Sequence, residues 1–360
     1  MPFIGGGGVE KNLFIIANYL SEKFAKIGLC TLSKNKLKNF NKKIKHIGPY
    51  NNFNDKLNIR LKYLICLVAL FKFLIKNRNS VVFAFQANIY CIILAIIFRK
   101  KIVTRSNSSP SGWNKNIFKN FLFRLLLKYP TKIIVNSKSF KKEIDKKFKI
   151  NSKMIYNPLN KEEIISKSKV KIKKDFFNRN KQLRIINVAR FTDQKDHITL
   201  LKAFHIVSKK IPTNLLLIGY GNKKTEIKNY IKLNRLDKKV KILDFAFNPY
   251  KYIKNSDLFI LTSLYEGLPN VLLESIALKK YVISSNCPTG PSEILENNKY
   301  GSLFPLKNYR KLSKIIIDFY FNKKKYNKKI TKAFKSLDRF DEINNCRLYL
   351  IEIKKLIGIN

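Results

Sequence analysis

Short apolar runs alternate along the chain with longer stretches whose apolar and basic positions recur at helical spacing. VVFAF (81–85), KIVTRS (101–106) and KIIVNS (132–137) predict strands in the first half. RIINVAR (184–190), NLLLIGY (214–220), VKILDF (240–245), LFILTS (258–263) and YVISSN (281–286) predict strands in the second. Helical runs separate most of them, and that order predicts an α/β protein with parallel sheets covered by helices. The stretch VVFAFQANIYCIILAIIF (81–98) meets the minimum length of a membrane span. Gln86, Ala87 and Asn88 interrupt it, so it reads as a buried strand over 81–85 and a helix over 89–98. LKYLICLVALFKFLIK (61–76) carries Lys62, Lys72 and Lys76 on a helical period and predicts an amphipathic or buried helix.

The segment 157–183 is lysine-rich, polar and poorly periodic, as a linker between two domains would be. The division expected is a first domain over 1–165, a second over 180–335, and a terminal helix within 336–360 that returns toward the first domain. The basic run FNKKKYNKKITKAFK (321–335) reads as the solvated face of a helix. Near the start, four glycines (5–8) feed a helical run, but only Met1–Ile4 precede them. A glycine turn of this kind follows a strand of about five or six residues, so either the natural chain begins upstream or its first strand is short.

A length of 360 residues suits two domains, and 45% hydrophobic content is enough for a substantial core. The net charge of +50 comes from 73 basic and 23 acidic residues. Base reading and bidentate phosphate recognition favour arginine, yet 61 of the basic residues are lysines spread along the whole chain. Compositional bias therefore explains the charge better than a specific nucleic-acid surface, although such a charge still draws the chain toward anionic lipid. The five cysteines form no C-x-x-C pair, and none of the three histidines completes a metal-binding spacing. Isolated thiols fit a reducing cytoplasm.

Against this charge one window stands apart. Residues 255–278 contain no lysine or arginine, where proportion predicts about five, and 281–298 contain none either. Buried strands exclude lysine in any case. That does not account for the polar turns SLYEGLPN and NCPTGPSEILENN, which follow strand C-termini, where open α/β sheets bind ligands. Within the window Glu266 and Glu274 flank Gly267, Leu268, Pro269 and Asn270. Pro269 suits the start of a helix, whose amides attract anions. Glu274 in the first helical turns can accept hydrogen bonds from a ribose diol, and Glu266 from a sugar. Taken singly, Glu266 reads better as a solvated turn residue and Glu274 as a helix-start carboxylate favoured by the dipole; the pair in this glycine- and proline-marked setting changes that.

EGLPNVLLE resembles the E-x7-E motif of retaining glycosyltransferases of family 4. INVARFTDQKDHITLLKAF (186–204) resembles that family's strand–loop–helix, LLLIGYGNKKTEI (215–227) its Gly-x-Gly turn, NPYKYIKNSDLFILTS (248–263) the segment leading into the motif, and CPTGPSEIL (287–295) the loop that approaches the donor. GGGGVEKNLFIIANYL resembles its N-terminal glycine loop. The likeness holds in register over most of 183–305 and only by pattern in the first half.

The resemblance implies a GT-B fold: two doubly wound Rossmann-like domains facing a central cleft. It implies Glu266, Arg190 and Lys195 as the catalytic group, with the two cations on the donor diphosphate. Donor binding then falls to Glu274, Gly219, Gly221, Gly267, Leu268, Pro269, Asn270 and Gly290. An acceptor or phosphate loop falls to Gly6, Gly7 and Gly8. By position alone, Arg105 and Asn107 in TRSNSSP (104–110), which follows a strand, join that acceptor or phosphate loop or else stand in a plain turn. The expected reaction moves a hexosyl or N-acetylhexosaminyl group from a nucleotide sugar, UDP-linked, to a saccharide or lipid-linked acceptor in cell-surface glycan assembly. It keeps anomeric configuration, and the missing Asp-x-Asp box suits chemistry without a metal or cofactor. Many relatives carry a histidine after the strand at 81–85; here Gln86 and Asn88 stand there. His197, two residues past Lys195, reads as a helix-start residue. The expected location is the cytoplasm, peripheral on the inner face of the plasma membrane. Two alternatives remain at this point: an epimerase-like sugar-nucleotide enzyme, and a non-enzymatic basic protein that binds membrane or nucleic acid.

Overall fold

The computed structural model describes residues 1–5, 7–48, 58–107, 117–172, 176–177 and 182–358. The chain divides into two units. Unit 1 comprises Met1–Pro158 with Glu342–Asn360, and unit 2 comprises Leu159–Asp341.

Unit 1 holds a parallel pair, β1 (Ile27–Cys30) and β2 (Ile44–Ile47). It also holds a four-stranded parallel sheet in sequential order: β3 (Val82–Ala84), β4 (Ile102–Arg105), β5 (Lys132–Val135) and β6 (Lys153–Met154). Side chains alternate across this sheet as the pleat requires. Val103 and Ile134 join Leu13, Ile16, Cys346 and Tyr349 on one face. Ile102, Ile133 and Val135 join Leu74, Ile92, Phe140 and Ile144 on the other. The last helix, Glu342–Ile357, lies against the first, Gly8–Ser21, and both supply that first cluster. Met1–Ile4 run beside the end of β1. The Met1 amine donates to Cys30 O (2.9 Å), Leu32 N to Pro2 O (3.1 Å) and Ile4 N to Ser33 Oγ (2.9 Å).

The long apolar stretch breaks at Gln86, Ala87 and Asn88. β3 ends at Ala84, and the following helix runs Asn88–Ile97 with Ala87 in the left-handed region (φ 57°). No helix among the described residues is long and apolar enough to cross a membrane.

Unit 2 contains one parallel sheet built from β7 (Leu183–Val188), β8 (Thr213–Ile218), β9 (Val240–Leu243), β10 (Leu258–Leu261), β11 (Tyr281–Ser285) and β12 (Ser302–Phe304). Across the sheet they run β12-β11-β10-β7-β8-β9. In the unit's own count this is 6-5-4-1-2-3, the doubly wound order that reverses between its first and fourth strands. β10 and β11 are buried at every position, which explains the apolar run LFIL of β10 and the absence of any charge from YVISS of β11. At the N-terminal end of β7 and β10, Arg184 grips Asp257 bidentately (3.0 and 2.8 Å). Burial pushes the Asp257 carboxyl up, but the hydrogen bonds and charge of Arg184 win and hold it below the usual range.

The segment 157–183, expected as a linker, contains the helix Lys161–Ser168, whose cap Asn160 accepts from Glu163 N (2.8 Å). Ile164 is buried, so this helix is part of unit 2's packing.

Candidate active site

The reversal of strand order leaves the loops after β7 and β10 side by side at the C-terminal edge of the sheet. In doubly wound sheets this is where ligands bind. The β7 loop makes a short 3-10 turn, Asp193–Lys195, then enters the helix His197–Ser208. Asp196 caps that helix, accepting from Thr199 N (3.2 Å) and Thr199 Oγ1 (2.7 Å). The β10 loop is sewn to it by three bonds. Leu264 N donates to Gln194 O (2.8 Å), Gln194 Nε2 to Tyr265 O (2.8 Å) and Thr262 Oγ1 to Lys195 O (2.8 Å).

Between the two loops Lys195 Nζ and Glu266 Oε1 form an ion pair, with side chains only 14% and 9% exposed. Ser263 Oγ donates to the same Glu266 oxygen (2.6 Å), and Thr289 Oγ1 to the Glu266 carbonyl. The window without cations thus receives one from 71 residues earlier in the chain. A pair this secluded interacts far more strongly than an exposed one, and either member left alone would be a costly buried charge.

Gly267, Leu268 and Pro269 are buried and lead into the helix Asn270–Ala277, where Glu274 is 3% exposed with Tyr250 Oη 3.4 Å from its Oε1. Gly290, in the β11 loop, has φ 88°, and a Cβ there would lie 2.4 Å from Gly267 O. The Gly219–Gly221 turn after β8 is fitted as closely: Cβ atoms would lie 1.9 Å from Ala189 O and 2.2 Å from Phe191 O. These glycines let the loops after β7, β8, β10 and β11 meet, whatever else they bind. Arg190 lies exposed on the β7 loop, five residues before Lys195.

His197 is buried, as the first residue of its helix. Its Nε2 meets Asn187 Oδ1 (3.1 Å), and Asn187 Nδ2 is committed to Ile260 O (2.7 Å). The imidazole therefore carries its proton on Nε2. Burial, with Lys195 adding, pushes its pKa down to about 3, so it is neutral and inert as an acid at pH 7. Cys287 is likewise silent, its thiol pushed up to about 12 by burial and then by Glu266.

The first-half residues lie in unit 1. Gly7 and Gly8 form the cap and first residue of the helix Gly8–Ser21, and Gly6 falls outside the described residues. Arg105, expected to be presented to a ligand with Asn107, is instead fully buried. Its Nε donates to Tyr349 Oη (2.9 Å), and its other two nitrogens donate to Asn107 and Asn157. The position after a strand suggested a ligand contact; the returning helix, remote in sequence, covers it. Sequence reasoning missed Ser263, Thr289 and Gln194, which hold the ion pair. A small hydroxyl three residues before Glu266, at a strand's end, was the available signal.

The family described as glycosyl transferases group 1 matches residues 168–336. An N-acetylgalactosamine-N,N'-diacetylbacillosaminyl-diphospho-undecaprenol 4-alpha-N-acetylgalactosaminyltransferase of Campylobacter jejuni is 30% identical over 277 residues, 73% of each chain. An uncharacterised glycosyltransferase of Methanocaldococcus jannaschii is 31% identical over 217 residues, 57% of this chain and 53% of that one, so the match spans about half of that relative. The crystal structure of HepE from Anabaena in complex with UDP and glucose superposes with a TM-score of 0.79 at 18% identity, covering 99% of this chain and 98% of that one. Two parallel-sheet units with this topology define a GT-B glycosyltransferase fold. The chain belongs to the glycosyl transferases group 1 family and is a glycosyltransferase. Membership removes the epimerase-like and non-enzymatic alternatives.

Proposed function

We propose that the protein transfers a hexosyl or N-acetylhexosaminyl group from a UDP-linked sugar to a saccharide or lipid-linked acceptor, with retention of configuration, in the assembly of a cell-surface glycan. The observation that carries this reading is the secluded Lys195–Glu266 pair at the strand reversal of unit 2, with Glu274 on the next helix. The HepE complex supports a uridine nucleotide as donor, and the Campylobacter relative is named for a diphospho-undecaprenol acceptor. A lipid-linked acceptor puts the enzyme at the cytoplasmic membrane face, where its charge of +50 is attracted to anionic lipid.

In this reading Lys195 and Arg190 stabilise negative charge as the anomeric C–O bond to the diphosphate breaks. The acceptor oxygen forms the new bond on the same face, and its proton passes to the departing phosphate oxygen, so no protein nucleophile and no metal take part. Glu266 orients sugar hydroxyls and Glu274 holds the ribose. The Gly7–Gly8 loop serves the acceptor, and Arg105 acts from beneath the surface by fixing Asn107.

Nucleotide release from UDP-sugars, followed with candidate acceptors, tests it. Lys195→Ala and Glu266→Ala should each lower turnover at least about a hundredfold while circular dichroism is unchanged. Turnover retained in both would reject the assignment. NMR of the product reports the anomer, and a chelator should leave the rate unchanged.

A further inference from the structure

From Lys56 to Lys142 the chain contains no aspartate or glutamate and 18 lysines or arginines. Three helices of unit 1 lie within this stretch: Ile59–Lys76, Asn88–Ile97 and Ile117–Leu126. They cover one face of the β3–β6 sheet, with Leu74, Ile92, Ala95 and Leu126 pointing inward. Their outer sides are not polar. On the first helix exposed apolar residues recur at 61, 64, 68, 71 and 75, with Leu64 58% and Ile75 53% exposed. That spacing is one helical stripe. Ile97 on the second helix and Phe121 on the third are 62% and 61% exposed. The stripes adjoin: Phe71 meets Phe98 edge-on at 5.2 Å between ring centroids, and Tyr63 lies 6.4 Å from Tyr90. Exposed cations surround this face, among them Arg60, Lys72, Lys76, Arg99, Arg124 and Lys128.

An apolar surface shared by three adjacent helices is far more than the scattered exposed side chains of an ordinary surface. Charge chooses its occupant. A second copy of the chain would bring the same acid-free face and the same sign. A bilayer containing anionic lipid offers hydrocarbon for the stripes and phosphate for the rim. We propose that this three-helix face of unit 1 is the surface by which the protein docks in plane on an anionic membrane. The proposal names the part of the molecule that meets the membrane invoked for a lipid-linked acceptor. It rests on that reading for its purpose, but on the surface itself for its physics.

The test is flotation of the full chain with vesicles of phosphatidylglycerol and phosphatidylcholine, or of phosphatidylcholine alone, at physiological ionic strength. Wild-type protein should float with the anionic vesicles and only weakly with the neutral ones. The triple variant Leu64→Gln, Val68→Gln, Ile97→Gln leaves the net charge and helix preference nearly unchanged. Its partition onto anionic vesicles should fall at least about tenfold, while its UDP binding and its thermal unfolding match wild type. Equal flotation of variant and wild type would show attraction by charge alone and overturn the proposal. So would absence of wild-type flotation, or a wild-type dimer that the three substitutions dissociate. Loss of UDP-sugar turnover in wild type, with flotation intact, would instead overturn the transferase reading and leave this one standing.

Discussion

At the residue scale, the site depends on which charges are buried and with what. Glu266 is held by Lys195 and Ser263, so Glu266→Gln keeps the shape and the Ser263 bond but strands a nearly buried ammonium. His197 presents the opposite case, a titratable group kept neutral by burial. Its folded pKa, about 3, lies below the ordinary value of 6.5. Between these values the unfolded chain binds a proton that the folded chain refuses, so acid favours unfolding. Its contribution is intact above pH 6.5 and is lost as pH falls toward 3, at up to about 1.4 kcal/mol per pH unit. His197→Gln retains an N–H for Asn187 and has no proton to take up. Urea unfolding of the two proteins from pH 7 to pH 4.5 should show the wild type losing stability more steeply. Parallel curves would mean that His197 titrates normally.

At the element scale, the loops after four strands are positioned by contact with one another. Gly290 makes the point most sharply, since both its φ of 88° and the 2.4 Å approach to Gly267 O exclude a side chain. Gly290→Ala should cost about 2–3 kcal/mol, read as a lower urea midpoint at unchanged slope. Gly358→Ala is the control, because φ there is 75° with nothing within 4 Å, and only the backbone term of about 1 kcal/mol applies. The helix Glu342–Ile357 supplies a second case. Tyr349→Phe removes the acceptor of Arg105 Nε and leaves a buried guanidinium N–H unmet, a loss of about 1–3 kcal/mol measurable in the same way. The elements that were legible in advance share a cause. β10 and β11 are buried throughout, so LFILTS and YVISSN could be read as strands directly. β1, β2, β6 and β12 hold at most one buried residue each, and Gly28, Lys45, His46, Lys153 and Ser302 thin out their apolar lettering, too little pattern to register. The site was half legible. The polar, cation-free turns marked Glu266 and Glu274, and the family resemblance supplied Lys195. The burial of Arg105 was hidden, because its partner Tyr349 lies 244 residues away.

At the scale of the molecule, the two units differ in how completely their cores are closed. Most side chains of the unit 2 cluster have no exposure, among them Leu183, Ile185, Phe204, Leu217, Ile260 and Ile316, and fewer half-buried residues pack against it. In unit 1 the clusters draw on many half-buried residues, and three helices leave apolar stripes open to water. Sub-global stability follows buried apolar contact, so unit 1 should open first on heating. The groups assigned to the donor, Lys195, Glu266 and Glu274, all belong to unit 2. A ligand that binds only the folded form stabilises it by RT ln(1 + [L]/Kd), about 2.7 kcal/mol at a hundredfold excess over Kd. UDP at that excess should therefore raise the upper calorimetric transition and leave the lower one nearly fixed. Limited proteolysis in its presence should preserve a fragment close to Leu159–Asp341. Because the unit 1 stripes are what a bilayer would cover, anionic vesicles should act on the lower transition instead. An upper transition unmoved by UDP would place the donor elsewhere than at the Lys195–Glu266 pair.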